Sequence, residues 1–185
     1  TAAHKSRYHF SIKTLAQKYI FIFKLLVYHN VLIYINSIII QMISKIIIGY
    51  DGSEHAKAAV EFLKTLEEFT KAELHVVTVI DFAQLYSYGV DIPQTVYESI
   101  KKHNEYMLKD MVDHIKEAGG KAIGVILEGS PADAILDYAQ KINADMIVVG
   151  SRGLSTFRGL LLGSVSAKLV RESKIPVLVV KKQQK

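Results

Sequence analysis

Gly150-Ser-Arg-Gly153, nine residues from Leu154 to Leu162, and then Gly163-Ser164-Val165-Ser166 have the residue types and spacing of a phosphate cradle. Glycines let the main chain approach a charged ligand, and the first N–H groups of a helix, with its positive dipole end, favour an anion. The β-branched segment Asp145-Met-Ile-Val-Val149 runs directly into this stretch, and Val165 to Glu172 has helical character directly after it. The order is strand, glycine loop, helix start. Other loops of this general kind are excluded: no Gly-Lys pair is followed by Ser or Thr, and neither Gly-x-Gly-x-x-Gly nor Gly-x-Ser-x-Gly occurs. A second marker lies at the end of the first apolar run, Ile-Ile-Ile48-Gly49-Tyr50-Asp51-Gly52-Ser53, where an aspartate follows a strand.

Gly-x2-Gly-x9-Gly-Ser together with Asp51 resembles the ATP-binding branch of the universal stress protein family, over residues 44 to about 181. The resemblance implies a single-domain α/β fold, Rossmann-like and of the HUP type, with a five-stranded parallel sheet in the order 3-2-1-4-5. By motif position it implies phosphate contacts from Gly163, Ser164, Val165 and Ser166, and adenine or ribose contacts from Gly49, Tyr50, Asp51, Val79, Val149 and Gly150. Arg152 and Gly153 belong to the same loop. It also implies ATP as ligand, a cytoplasmic regulatory role linked to stress or energy state, and a homodimer formed through the last strand, Val177 to Val180. Mg2+ is expected only as a companion of the phosphates, whose oxygens supply most of its ligands.

Each of these residues also has a plainer reading. Asp51-Gly52 is a common turn pair ahead of a helix, and Val79 and Val149 suit ordinary core packing. One of Ser164 and Ser166 is expected to cap the fourth helix, a role compatible with a phosphate contact. Arg152 and Arg158 can neutralise phosphate charge or stay solvated. Tyr50 departs from the family pattern, where a smaller residue is usual, and its ring is expected to narrow the adenine pocket. His55, His75, His103 and His114 have no metal-ligand spacing and read as surface or interface residues. Hydrolysis of ATP needs a group to position water, and no catalytic base stands beside the loop, so binding without efficient turnover is expected. A hydrolase or adenylyl-transfer enzyme of the same fold would carry Ser-Gly-Gly-x-Asp-Ser or His-x-Gly-His, and both are absent. A stress protein that binds no nucleotide and acts through its dimer surface is the structural rival.

The elements that must position these residues alternate from Ser44 onward. Lys45 to Tyr50 is a continuous Ile run, as a strand buried on both faces should be. Ser53 suits an N-cap, and Ala56, Ala59, Val60, Leu63 and Leu66 fall on one helical face. Leu74 to Ile80 reads as strand two, and Tyr97, Ile100, Asn104, Met107, Leu108, Met111 and Ile115 mark a second helix that stops at Gly119-Gly120. Lys121 to Leu127 reads as strand three, Pro131 opens helix three, and Val177 to Val180 is the last strand. Strands alternating with helices give a parallel sheet covered on both faces by right-handed crossovers. Ligands on such sheets sit beyond the C-terminal strand ends, here between strands one and four.

Half of the 185 residues are hydrophobic, enough for one domain with a substantial core. Charge is uneven: residues 1–41 hold five of the 23 basic residues and no acid, leaving 18 bases against 18 acids in residues 42–185. The net charge of +5 is therefore no argument for nucleic-acid binding. The lack of cysteine excludes a disulfide framework and thiolate chemistry. Residues 1–41 are expected to be an extension outside the domain of residues 42–185. Three readings stay open for it: upstream sequence that is not part of the natural product, with Met42 as the start, a weak membrane anchor, or a poorly ordered amphipathic segment. Against the anchor, Lys24 near a helix centre costs roughly 2.5–3.5 kcal/mol, and His29, Asn30 and Asn36 interrupt the rest.

Overall fold

The computed structural model describes residues 43–82, 93–154 and 162–182. The expectations for residues 1–41 and for Arg158 lie outside the described residues. In chain order the elements are β1 (Lys45–Gly49), α1 (Glu54–Leu63), a short 3-10 helix (Glu67–Thr70), β2 (Glu73–Ile80), α2 (Gln94–Glu117), β3 (Lys121–Glu128), α3 (Pro131–Ile142), β4 (Met146–Gly150), α4 (Ser164–Glu172) and β5 (Val177–Val180). All five strands are parallel, in the order β3-β2-β1-β4-β5, as the resemblance implied.

β1 lies at the centre, with Ile48 in register with Val76 on β2 and with Val148 on β4. Ile46, Ile47 and Ile48 are fully buried, which is why the run shows no alternation of apolar and polar residues. Successive side chains still point to opposite faces. Ile46, Ile48 and Tyr50 pack in one core with Ala56, Val60 and Leu63 of α1 and Leu108, Met111 and Ile115 of α2. Ile47 packs in a second core with Ile135 and Ala139 of α3 and Leu169 of α4. Tyr50 is thereby a correction: it lines the cleft described below, but its ring is buried in the core with α1 and α2 rather than narrowing the opening. Strand alternation sends it there.

Ser53 caps α1 as expected, its Oγ accepting the Ala56 N–H at 3.2 Å. The cap of α4 is different. Gly163 holds the N-cap position without a side-chain bond, and Ser164 and Ser166 are its first and third helical residues. Only the C-terminal half of α2 is buried, through Leu108, Met111, Val112 and Ile115. Near its start, Tyr97 instead stacks on Phe82 at 4.5 Å between ring centres and donates its hydroxyl to Glu128 at 2.7 Å. His75 overturns the expectation of a surface histidine. It is buried on β2, with Nδ1 2.9 Å from the Tyr138 hydroxyl and the Glu73 carboxylate 2.9 Å from Nε2, off the direction of a hydrogen bond.

Among the described residues, no helix is long and apolar enough to cross a membrane.

Candidate functional site

At the C-terminal ends of β1 and β4 the sheet opens into a cavity of about 220 Å³, and all twelve residues singled out in the sequence line it. Its floor is made by Gly49 and Val149, with Val77 and Val79 from β2, while Pro131 and Ile135 of α3 form a wall. The opening exists because position 49 carries no side chain. A Cβ there would lie 2.8 Å from Val149 Cγ1 and 3.5 Å from Ile135 Cδ1, so any larger residue would fill the slot. Val79 and Val165 are half-buried at its edge, and Val149 is buried in the floor. The plain reading of Val79 and Val149 as core residues and the site reading therefore describe one position.

Gly150 and Gly153 are required by close approach. A Cβ on Gly150 would lie 2.6 Å from the His55 carbonyl carbon and 2.8 Å from the Ala56 nitrogen, so the first turn of α1 can rest on β4 only over a glycine. A Cβ on Gly153 would lie 2.6 Å from Asp51 Oδ2. Asp51 in turn accepts the Ser53 N–H through Oδ1 at 3.0 Å and the Leu154 N–H through Oδ2 at 3.2 Å. Its carboxylate links the end of β1 to the glycine loop, so the turn reading and the site reading of Asp51 also meet in one residue.

Ser151 organises the return of the loop. Its carbonyl accepts the Gly163 N–H at 2.8 Å, and its N–H donates to the Val180 carbonyl at 2.7 Å. The Ser166 hydroxyl lies 3.1 Å from that same Ser151 carbonyl and 3.0 Å from the Gly163 carbonyl, sharing one proton between them. Ser166 is buried, and its side-chain proton holds the cradle together. What α4 offers a ligand is main chain: the first intrahelical bond runs from the Ala167 N–H to the Gly163 carbonyl, so the N–H groups of Ser164, Val165 and Ser166 precede the ladder. These groups and the helix dipole make an anion seat at one end of an apolar slot.

Arg152 stands at the same end. Its Nε is buried and has no hydrogen-bond partner among the described residues, a costly state for a charged group unless an anion meets it. His55, half-buried on α1, has its pKa held below the ordinary histidine value, first by burial and then by the positive charges of Arg152, Lys182 and Lys181. Burial, then Asp110, Asp51 and Glu54, pushes the Tyr50 hydroxyl pKa up. Among the described residues no cluster of His, Cys, Asp or Glu is arranged to hold a metal ion. From one end to the other the cleft runs from the apolar slot past the Asp51 carboxylate to the α4 N–H groups and Arg152, an order of apolar, polar and anion-seating surface.

Sequence reasoning missed Ser151 and His55 as supports of the glycine loop, and Ala56, Val77 and Leu154 as lining residues. Ser151 sits inside the glycine motif, but nothing in the spacing says that its carbonyl is the anchor. Ile135 and Pro131 were visible only as helix-face and helix-start residues, because their role as a wall depends on how α3 crosses the sheet.

Residues 42–181 match the model of the universal stress protein family. A universal stress protein of Methanocaldococcus jannaschii, MJ0531, is 31% identical over 150 residues, covering 78% of this chain and 86% of its own length. Among solved structures, the hypothetical protein MJ0577 superposes with a TM-score of 0.69 at 26% identity, over 78% of this chain and 99% of that one. A universal stress protein in complex with cAMP superposes with a TM-score of 0.53 at 29% identity, over 76% of this chain and 98% of its own.

Proposed function

This chain belongs to the universal stress protein family, and from that premise we propose that it is an ATP-binding regulatory protein of the cytoplasm that holds its nucleotide with little or no hydrolysis. The observation that carries the proposal is the cleft itself, where an apolar slot over Gly49 leads past Asp51 to the first N–H groups of α4 and to the Arg152 Nε, which has no partner among the described residues. A universal stress protein of the same fold is known in complex with cAMP, an adenine nucleotide, which supports the reading of this cleft as a nucleotide site. ATP supplies the same base and more phosphate charge, and Mg2+ would arrive with the phosphates. Tyr50, the feature that favoured a protein without nucleotide, lines the cleft but has its ring taken up by the core against α1 and α2, so it no longer speaks for that reading.

The proposal extends to a homodimer through β5. The Ile147 N–H donates to the Pro176 carbonyl and the Ser151 N–H to the Val180 carbonyl, so β5 turns alternate residues toward β4. Val177 and Val179 then direct their main-chain groups to the open edge, where a second copy can pair. Val179→Pro removes one outward N–H and leaves the ladder to β4 intact, so light scattering should find monomers. An unchanged dimer mass contradicts this part.

Nucleotide binding is tested by extracting the purified chain for chromatography of any carried nucleotide, then recording thermal unfolding with and without ATP and magnesium. Ligand at 100 times its dissociation constant stabilises by about 2.7 kcal/mol, several degrees for a domain of this size. Gly163→Val should remove the shift, because a Cβ at Gly163 would already be in contact with the Arg152 Cα at 3.4 Å and the γ-methyls of valine would extend further at the lip of the cleft. No carried nucleotide and no shift would overturn the reading.

A further inference from the structure

His55 stands where three parts of the molecule meet: the first turn of α1, the glycine loop after β4, and the main chain just beyond β5. Its Nδ1 accepts the backbone N–H of Lys182 at 3.1 Å and lies 3.2 Å from Ser151 Oγ. These two neighbours differ in kind. A backbone N–H can only donate, whereas a serine hydroxyl both donates and accepts. An unprotonated Nδ1 therefore suits Lys182, and a protonated Nδ1 suits only Ser151. A second tie between α1 and this segment is the ion pair of Lys182 Nζ with Glu54 Oε2 at 2.8 Å, which is exposed and screened by salt.

We propose that His55 is a positioning residue and a pH-dependent latch, whose unprotonated Nδ1 fastens the end of β5 to α1 and whose protonated Nδ1 lets go of the Lys182 N–H and donates to the Ser151 hydroxyl instead. No bond is made or broken beyond this exchange of one proton with solvent. The charged groups that act on the ring are Arg152 in the glycine loop, Lys182 and Lys181 beyond β5, and Asp51 beyond β1, while Glu54, its neighbour on α1, is paired with Lys182. Burial first and then the three cations oppose protonation, while Asp51 favours it, so the latch stays closed at neutral pH and opens in acid. Ser151 also carries the loop through its carbonyl bonds to Gly163 and Ser166, so the open state alters a residue on which the cradle hangs. This inference concerns the chain without ligand and stands or falls separately from nucleotide binding.

The test is a pH titration of the full, ligand-free chain by nuclear magnetic resonance, following the His55 ring nitrogens and the Lys182 and Ser151 amides from about pH 8 to 5, the range in which histidine changes charge. The latch predicts a neutral ring protonated on Nε2, and Lys182 and Ser151 amide shifts that move with the midpoint of the His55 ring, below that of a free histidine. His55→Asn places an oxygen near the position of Nδ1 that accepts a hydrogen bond but takes up no proton. In that variant the Lys182 amide should hold its neutral-pH shift through the whole range. A neutral ring protonated on Nδ1, a Lys182 amide indifferent to the His55 titration, or a His55→Asn variant whose Lys182 amide still titrates would each overturn the proposal. If His55→Asn does not fold, the tautomer and the shared midpoint in the unaltered chain decide alone.

Discussion

The two faces of the sheet are built from the same central strand and end in opposite states. Toward α1 and α2, β1 presents Ile46 and Ile48, Tyr50 continues the row, and the core closes up to the C-terminal end of the sheet. Toward α3 and α4 it presents Ile47 and then Gly49, where the core stops and the cleft begins. One missing side chain separates a packed face from an open one. A binding slot here is the last layer of a hydrophobic core left unfilled, with an aspartate and a helix start placed at its mouth.

This contrast is broken most strongly on the closed face. Ile48→Ala removes a fully buried side chain and should cost about 2–5 kcal/mol in urea denaturation, with nucleotide affinity of the folded chain unchanged. Gly49→Val reverses the pattern: overpacking costs about 1–3 kcal/mol, while the slot is filled and the nucleotide is lost. Equal effects of the two substitutions on affinity would erase the distinction between the faces. Next in size is Asp51→Ala, which leaves the Ser53 and Leu154 N–H groups without their carboxylate acceptor. Two lost hydrogen bonds at a half-exposed site correspond to about 1–2 kcal/mol, together with weaker nucleotide binding.

The smallest effect is expected at the opposite end of the sheet, away from the cleft. Burial works to raise the Asp145 pKa, but the N–H groups of Lys45 and Ser44 and the Ser44 hydroxyl outweigh it, and the carboxyl stays below the ordinary aspartate range. A depressed folded value means that the contribution is fully present above the unfolded pKa and declines as pH falls through the folded one. Acid below about pH 4 should therefore weaken the join of β1 to β4 in the unaltered chain, and Asp145→Asn should flatten that part of the stability profile. A profile that keeps its slope in the variant would assign the acid sensitivity elsewhere.

Much of this was legible from residue order. The Ile run of β1, Ser53 as a cap, and Pro131 at the first turn of α3 follow from local chemistry, and the sheet order followed from the resemblance. The glycine spacing marked the loop, and every described residue chosen from it lines the cleft. What stayed hidden was direction. The ring of Tyr50 could be assigned to the wrong face because sequence places a residue on a strand but does not say which face holds the ligand. His75 read as a surface residue because its partner Tyr138 lies 63 positions away on α3. Ser166 read as a cap or phosphate donor because its actual acceptors, the carbonyls of Ser151 and Gly163, are brought to it only when the loop folds back.

The most direct test of the central claim, that the unfilled layer over Gly49 seats the nucleotide base, is calorimetric titration of ATP with magnesium into the nucleotide-freed chain and its Gly49→Val variant. The account predicts saturable binding by the unaltered chain and at least a tenfold loss, about 1.4 kcal/mol, in a variant that still unfolds in one cooperative transition. Equal affinity in the two proteins, or no binding by the unaltered chain, would contradict it.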